Sequence, residues 1–218
     1  MGRTDHRDLD AAARRVRGVI ERLAREGTAV ARSDGTRHDL FPVAASAAEG
    51  EALRGWVVRE GATRTAEVGL GYAISALHVC EGLLRSAGPA AGHVDIDPFQ
   101  ATRFSGCGLQ FLEDAGVSGM VEHRAERSEA ALPRLLGEGR VFDLAFVDGD
   151  HRFDGVFVDL FYLARLVRPG GVGSWTTTSC RRWSGGVFLR EEPGMGAGGG
   201  LGVGRPAPVG RAAHLDGP

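Results

Sequence analysis

The sequence has no lysine, only three cysteines, no long apolar run and no marked excess of either charge. The cysteines lie far apart and form no CxxC pair, so they predict neither a disulfide framework nor a zinc site. No apolar stretch reaches the roughly 20 residues that cross a bilayer, and the first residues, MGRTDHRDLDAAARR, include no apolar core of a signal peptide. We therefore expect a cytoplasmic protein without a membrane segment.

The charged residues also limit the kind of partner. All 26 basic residues are arginines, and they are interspersed with 28 acidic residues for a net charge of -2. Because no basic patch or charge block results, nucleic acid and membrane surfaces are disfavoured as partners. A chain of 218 residues can bury the core of one α/β domain of ordinary size, so one domain is expected.

Helical periodicity dominates the N-terminal part of the chain. Apolar residues recur every three or four positions over residues 8–26 and again in the segment that ends near Gly61. Both segments predict amphipathic helices. We assign residues 1–60 to a helical cap, residues 61–172 to the main domain and residues 173–218 to a tail.

The main domain alternates short apolar strands with helical segments. The strands are TAEVGL, HVDI, MVEHRA and FDLAFVDG, and a helical pattern follows each of them. Such alternation implies right-handed crossovers and a parallel sheet with helices on both faces, a Rossmann-like α/β fold. After RPGGV the pattern ends and glycine and proline become frequent, so we expect incomplete C-terminal strands and little stable structure in the tail.

Ligands of an open parallel sheet bind beyond the carboxyl ends of its strands. The first strand ends in EVGLGYAIS, where Gly69 and Gly71 let the turn approach a ligand. A dinucleotide GxGxxG motif would need glycine at Ile74, and Glu67 would lie close to a pyrophosphate. The turn therefore favours a positively charged cofactor, with an NAD(P)-dependent oxidoreductase as the weaker alternative.

Polar residues follow the other strands as well. Asp95 and Asp97, in HVDIDP, come where a Rossmann-like domain binds a ribose, although Asp97 could instead cap a helix that begins at Pro98. Ser128 and Glu129 open a helix and are candidates for contact with adenine, with a plain N-cap as the alternative for Ser128.

The fourth strand ends in a group of ionisable residues. Asp148 terminates an otherwise apolar strand, and Asp150 and His151 follow it. Such groups bind a hard divalent cation or act as a general base. A solvated loop with a helix cap is the alternative for Asp150 and His151.

Taken in order, EVGLGYAISALHVCEGLL, HVDIDPFQ, FDLAFVDGDHRFDGVFVDL and LARLVRPGGV resemble class I S-adenosylmethionine-dependent methyltransferases. The resemblance covers about residues 40–172 and is to the small-molecule O-methyltransferases related to the catechol and macrocin types. It implies methyl transfer from S-adenosylmethionine to a small-molecule hydroxyl, and it is compatible with a homodimer.

The resemblance also implies roles for the candidate residues. The methionine part of the cofactor would be surrounded by Glu67, Gly69 and Ser75, beside Gly71 in the same turn. The ribose would be held by Asp95 or Asp97, and the adenine would lie by Ser128 and Glu129. Asp148 is assigned to the cofactor amine or to a metal such as Mg²⁺, and His151 is the candidate base of a metal-free version.

The chain departs from this family in two places. Relatives have alanine at the place of Gly71 and glycine at the place of Ala73, which predicts modestly weaker cofactor binding. After Val172 relatives continue with a strand that ends in paired acids and then a segment resembling SFFVxNLGW, and this chain has neither. Shifted reading frames can encode both, so we hypothesise a frameshifted tail. The alternative function is a catalytically impaired remnant that still binds the cofactor.

Overall fold

The computed structural model describes residues 6–149, 152–175 and 186–189. The N-terminal region contains the two helices expected from periodicity, α1 (His6–Glu26) and α2 (Ala47–Arg59). A short antiparallel pair between them, β1 (Thr28–Val30) and β2 (Arg37–Asp39), is not predicted from the sequence. Strands of three residues are too short to show an alternating pattern.

A six-stranded sheet forms the centre of the fold. Its strands are β3 (Arg64–Val68), β4 (Gly92–Ile96), β5 (Val121–Arg124), β6 (Phe142–Val147), β7 (Val167–Trp175) and β8 (Gly186–Leu189), in the order β5-β4-β3-β6-β7-β8. All neighbouring pairs are parallel except β7 with β8. Chain order reverses between β3 and β6, which is where such a sheet binds its ligand.

Helices cover both faces of the sheet, as predicted. They are α3 (Ile74–Ser86), α4 (Cys107–Ala115), α5 (Ser128–Gly137) and α6 (Phe153–Leu166). Ala66 and Val68 of β3 pack with Leu132 of α5 and Leu163 of α6. On the other face, α3 contacts α1 and α2, so the N-terminal helices lie on the opposite side from α5 and α6. The predicted Rossmann-like α/β fold is confirmed.

An ion-pair cluster attaches α1 to this face. Glu81 of α3 has no exposed side-chain surface, and its Oε2 lies 2.6 Å from Arg17 Nη2 of α1. Its Oε1 lies 3.0 Å from Arg85 Nη2 on its own helix. A buried carboxylate needs such partners, so this cluster links α1 to α3 in addition to the apolar packing of α1.

Helix α4 is shorter than the sequence indicates. The helical pattern predicts one helix over residues 98–116, whereas the structure forms turns before a helix that begins at Cys107. Ser105 and Gly106 both have positive φ, 49° and 74°, and these angles interrupt a right-handed helix.

The sheet extends further along the chain than the sequence indicates. Strand β7 continues past Val172 to Trp175, and β8 pairs with it, Val172 opposite Leu189. The glycine-rich composition hides this pairing, since Gly173 and Gly186 contribute backbone hydrogen bonds but no apolar pattern. The remaining prediction for the tail concerns residues outside the described ranges. No helix in the described part of the chain is long and apolar enough to span a bilayer.

Candidate active site

A cavity of about 1110 Å³ opens at the carboxyl ends of β3, β4 and β6, where the strand order reverses. Most of the candidate residues line it: Gly69, Gly71, Ser75, Asp97, Ser128, Glu129 and Asp148. Glu67 and Asp95 are absent from its surface because both are fully buried on the strands behind it. Asp150 and His151 lie outside the described residues, so the roles predicted for them stay predictions.

Gly69, directly after β3, lies close to the backbone of Asp148, which follows β6. Its φ is 99°, and a Cβ atom there would lie 2.4 Å from the carbonyl oxygen of Asp148. The Asp148 N–H donates to Val68 O at 2.8 Å, and the Gly69 N–H donates to Ile96 O at 2.9 Å, which fixes the turn between neighbouring strands. Only glycine fits this position, so the turn presents bare backbone to the cavity.

Ala73 occupies the position where the resemblance to class I methyltransferases implies glycine. It is the N-cap residue of α3 with φ 58° and ψ 18°, in the left-handed region. This conformation costs a residue with a Cβ roughly 1–2 kcal/mol, a cost that glycine avoids. Alanine at this position therefore has a cost in backbone conformation, while the effect of this departure on cofactor binding stays a prediction.

Asp97 holds the glycine turn in place. Its Oδ2 accepts hydrogen bonds from the Gly71 N–H at 2.9 Å and from Gln100 Nε2 at 3.0 Å. Its Oδ1 accepts from the Phe99 N–H at 2.7 Å, which caps the turn after β4. The capping alternative is thus partly right, although the capped segment is a turn and not a helix.

Glu67 lies in the sheet directly below the turn. It has no exposed surface, and neither carboxylate oxygen has a hydrogen-bond partner within the described residues. The nearest basic atom is His93 Nε2, 3.8 Å from Oε2, and His93 Nδ1 lies 2.9 Å from Thr65 Oγ1. Burial raises the pKa of Glu67, and His93 and Ser75 oppose this only in part.

Asp95 is the other buried carboxylate. Its Oδ2 lies 2.6 Å from His123 Nδ1 of β5, while its Oδ1 has no partner in the described part of the chain. Burial raises the pKa of Asp95, and the contact with His123 opposes that rise. Sequence reasoning missed His123; the available signal was a polar residue inside a strand expected to be covered by helices on both faces.

Asp148 directly follows β6 and lines the cavity between the glycine turn and α6. Burial raises its pKa to about 7, and the charges of Glu67 and Glu49 add to the rise. A carboxyl group that titrates near neutral pH inside a cavity can exchange protons with a bound ligand.

Ser128 and Glu129 line the cavity at the start of α5. Arg127 is the N-cap residue, with φ -70° and ψ 148°, so Ser128 is the first residue of the helix and not its cap. The N-cap alternative for Ser128 is therefore wrong. The Arg127 guanidinium lies 5.8 Å from the centre of the Phe99 ring, and both residues also line the cavity.

The outer wall of the cavity comes from residues that the sequence did not single out. Residues 42–45 of the N-terminal region form one side. Tyr72 and Phe104 contact each other edge to face at 5.1 Å, and Arg103 lies beside them. Their sequence signal is weak because aromatic residues next to a turn usually indicate core packing.

The predicted metal site has little support among the described residues. Within them, no group of three or more His, Cys, Asp or Glu side chains is arranged to hold an ion. Asp148 on its own could supply a single carboxylate ligand.

An open parallel sheet with a glycine turn and strand-end acids at its switch point defines a Rossmann-like cofactor-binding domain. A family model described as a methyltransferase domain matches residues 66–175, half of the chain. The chain therefore belongs to this methyltransferase family. The resemblance to class I S-adenosylmethionine-dependent methyltransferases is confirmed.

Solved structures of O-methyltransferases are similar. One is TomG from Streptomyces achromogenes, involved in tomaymycin synthesis and solved with S-adenosylmethionine, with 25% identity, a TM-score of 0.56 and coverage of 79% of this chain and 66% of that one. Another is an O-methyltransferase from Bacillus cereus in complex with S-adenosylhomocysteine, with 20% identity, a TM-score of 0.55 and coverage of 76% and 66%. This chain thus spans slightly less than two thirds of their length. No curated protein sequence matches the chain.

Proposed function

We propose that this protein transfers a methyl group from S-adenosylmethionine to a hydroxyl group of a small molecule. One observation carries the proposal: Glu67 and Asp95 have buried carboxylate oxygens that find no hydrogen-bond partner among the described residues, on the two strands behind the cavity. An unsatisfied buried oxygen costs free energy. A ligand that brings an ammonium group and ribose hydroxyls would supply the missing donors.

The residues present fit this cofactor. Gly69 offers bare backbone, and with Ser75 and Glu67 it would surround the methionine part. Asp97 already uses both oxygens to hold the turn, whereas Asp95 Oδ1 has no partner in the part of the chain that the structure describes, so we assign the ribose to Asp95. Ser128 and Glu129 would lie beside the adenine.

The charges around the turn favour this cofactor over a dinucleotide. Glu67 lies directly below the turn, and its charge, with that of Glu49, adds to the rise that burial causes in the pKa of Asp148. A cationic sulfonium and ammonium would be attracted to this region, whereas a pyrophosphate would be repelled. The oxidoreductase alternative is disfavoured for this reason.

When bound, S-adenosylmethionine supplies an electrophilic methyl group on a positively charged sulfur. The contribution of the protein is to orient the two reactants and to move a proton. With a pKa near 7, Asp148 is partly ionised at neutral pH and can accept the proton of the acceptor hydroxyl as its oxygen attacks. His151 stays the second candidate base. A Mg²⁺ ion at Asp148 would need further ligands from other residues, the acceptor or water.

The acceptor would bind in the outer part of the cavity, against residues 42–45, Tyr72 and Phe104. A volume of about 1110 Å³ exceeds that of most single-ligand pockets, which leaves room for both reactants. TomG, which acts in tomaymycin synthesis, supports a natural-product hydroxyl as acceptor. A cytoplasmic location, a homodimer and the absence of a nucleic-acid partner stay predictions.

Calorimetric titration of the full chain with S-adenosylhomocysteine, with and without Mg²⁺, tests the proposal. Glu67→Gln and Asp95→Asn should each weaken binding about tenfold or more, since each replaces a charged acceptor. Glu21→Gln is the control, because Glu21 is exposed on α1 and does not line the cavity. A folded wild-type chain that does not bind would contradict the proposal, whereas binding without methyl transfer would indicate a remnant.

A further inference from the structure

We propose that His123 is a positioning residue for Asp95: it holds one carboxylate oxygen and thereby directs the other toward the ribose of the cofactor. The inference rests on the proposed function, which supplies the ribose. No role was expected for His123 from the sequence, and it does not line the cavity.

The register of the sheet brings the two residues together. Strands β4 and β5 are parallel, and Asp95 pairs with His123 across them, so both side chains project from the same face. His123 Nδ1 lies 2.6 Å from Asp95 Oδ2. A carboxylate oxygen accepts, so Nδ1 carries the proton that is shared between them.

The contact constrains a side chain that has little else to hold it. Asp95 is fully buried, and its Oδ1 lacks a partner among the described residues. Among the described residues, the contact with His123 is the side-chain hydrogen bond that orients the Asp95 carboxylate. Fixing Oδ2 therefore also fixes the direction in which Oδ1 can accept a hydrogen bond.

Charge strengthens the contact. The hydrogen bond with Asp95 raises the pKa of His123, while burial opposes the rise and the negative charges of Asp95 and Asp97 add to it. The flanking residues Glu122 and Arg124 pair with each other. Hydrogen bonds that involve an ionised group are stronger than neutral ones, so the His123 contact can hold the orientation of Asp95.

A purely structural role for His123 would link β4 to β5 and affect every ligand equally. A positioning role affects only ligands that have ribose hydroxyls. The two roles are separated by titrating the full chain with S-adenosylhomocysteine and with its 2′,3′-dideoxyribose analogue, for the wild type and for His123 variants.

The variants exploit the geometry of the imidazole. The side-chain nitrogen of His123→Asn lies near the position of Nδ1, whereas that of His123→Gln lies near Nε2. We expect His123→Gln to bind S-adenosylhomocysteine roughly tenfold more weakly, and His123→Asn to stay within about threefold of wild type. Both should bind the dideoxy analogue as the wild type does. Glu122→Gln on the same strand is the matched control and should bind both ligands normally.

Two results would overturn the inference: a folded His123→Gln variant with wild-type affinity for S-adenosylhomocysteine, or an equal loss for both ligands. Should His123→Gln not fold, His123→Ala carries the same expectation. Failure of the proposed function looks different, because the wild type itself would then bind neither ligand.

Discussion

Replacing Gly69 by alanine tests the geometry of the turn most sharply. The new Cβ would lie 2.4 Å from the Asp148 carbonyl oxygen and 2.7 Å from its carbon, both in backbone that cannot swing away. A φ of 99° adds strain of about 1–2 kcal/mol, and overpacking adds about 1–3 kcal/mol. We therefore expect Gly69→Ala to lower the free energy of unfolding by about 2–5 kcal/mol in urea titrations.

Gly55→Ala is the matched control, and its expected effect on the free energy of unfolding has the opposite sign. Gly55 lies inside α2, and a Cβ there would have no atom within 4 Å. Removing a helical glycine should raise the free energy of unfolding by about 0.5–1 kcal/mol. If Gly69→Ala unfolded at the wild-type urea concentration, the close approach of Gly69 to the backbone of Asp148 described above would be incorrect.

Three further substitutions should change stability in ways that depend on charge. The pKa of Asp148 is raised in the folded state, so ionising this residue costs the folded state free energy as the pH rises from about 4 to about 7. Asp148→Asn should therefore be roughly 2 kcal/mol more stable than wild type at pH 8 and equally stable at pH 4. The same variant should be unable to transfer methyl groups. Burial raises the pKa of Asp143, but hydrogen bonds from Thr63 and Arg168 outweigh it and lower the pKa. Asp143→Asn should therefore cost about 2 kcal/mol at pH 7 and progressively less as the pH falls through the folded pKa. Arg17→Ala removes a partner of the buried Glu81 and should cost about 2 kcal/mol.

Urea titrations at several pH values check all three. Equal stability of Asp148→Asn and wild type at pH 8 would argue against the raised pKa. A cost of Asp143→Asn that did not change with pH would show that the carboxylate charge is unimportant there. For Arg17→Ala, wild-type stability would mean that the contact between Arg17 and Glu81 does not stabilise the packing of α1 on α3.

The main elements of the fold were predictable because their patterns are local. The strands that become β3, β4, β5 and β6 are short, apolar and separated by helical periods, and the structure forms all of them. Strand β8 was not predictable, since its glycine-rich segment is ordered by pairing with β7, which a local pattern does not show. The length of α4 was overestimated because Ser105, a residue with a side chain, adopts a positive φ.

The candidate site was predictable to the level of strand ends. Residues that follow parallel strands meet at one edge, so Gly69, Asp97 and Asp148 could be grouped from the sequence. The different roles of Asp95 and Asp97 could not be predicted, because they depend on which carboxylate oxygens already accept hydrogen bonds from the protein. His123 was missed for the same reason, since its role arises from register across two strands.

The central claim is that the cavity binds an adenosyl cofactor with a positively charged end. The most direct test compares two ligands: the full chain, shown to be folded, is titrated separately with S-adenosylhomocysteine and with NADH under the same conditions. We expect saturable binding of S-adenosylhomocysteine and none of NADH at comparable concentrations. Tighter binding of NADH would contradict the account and indicate the dinucleotide site that the position of Glu67 argues against.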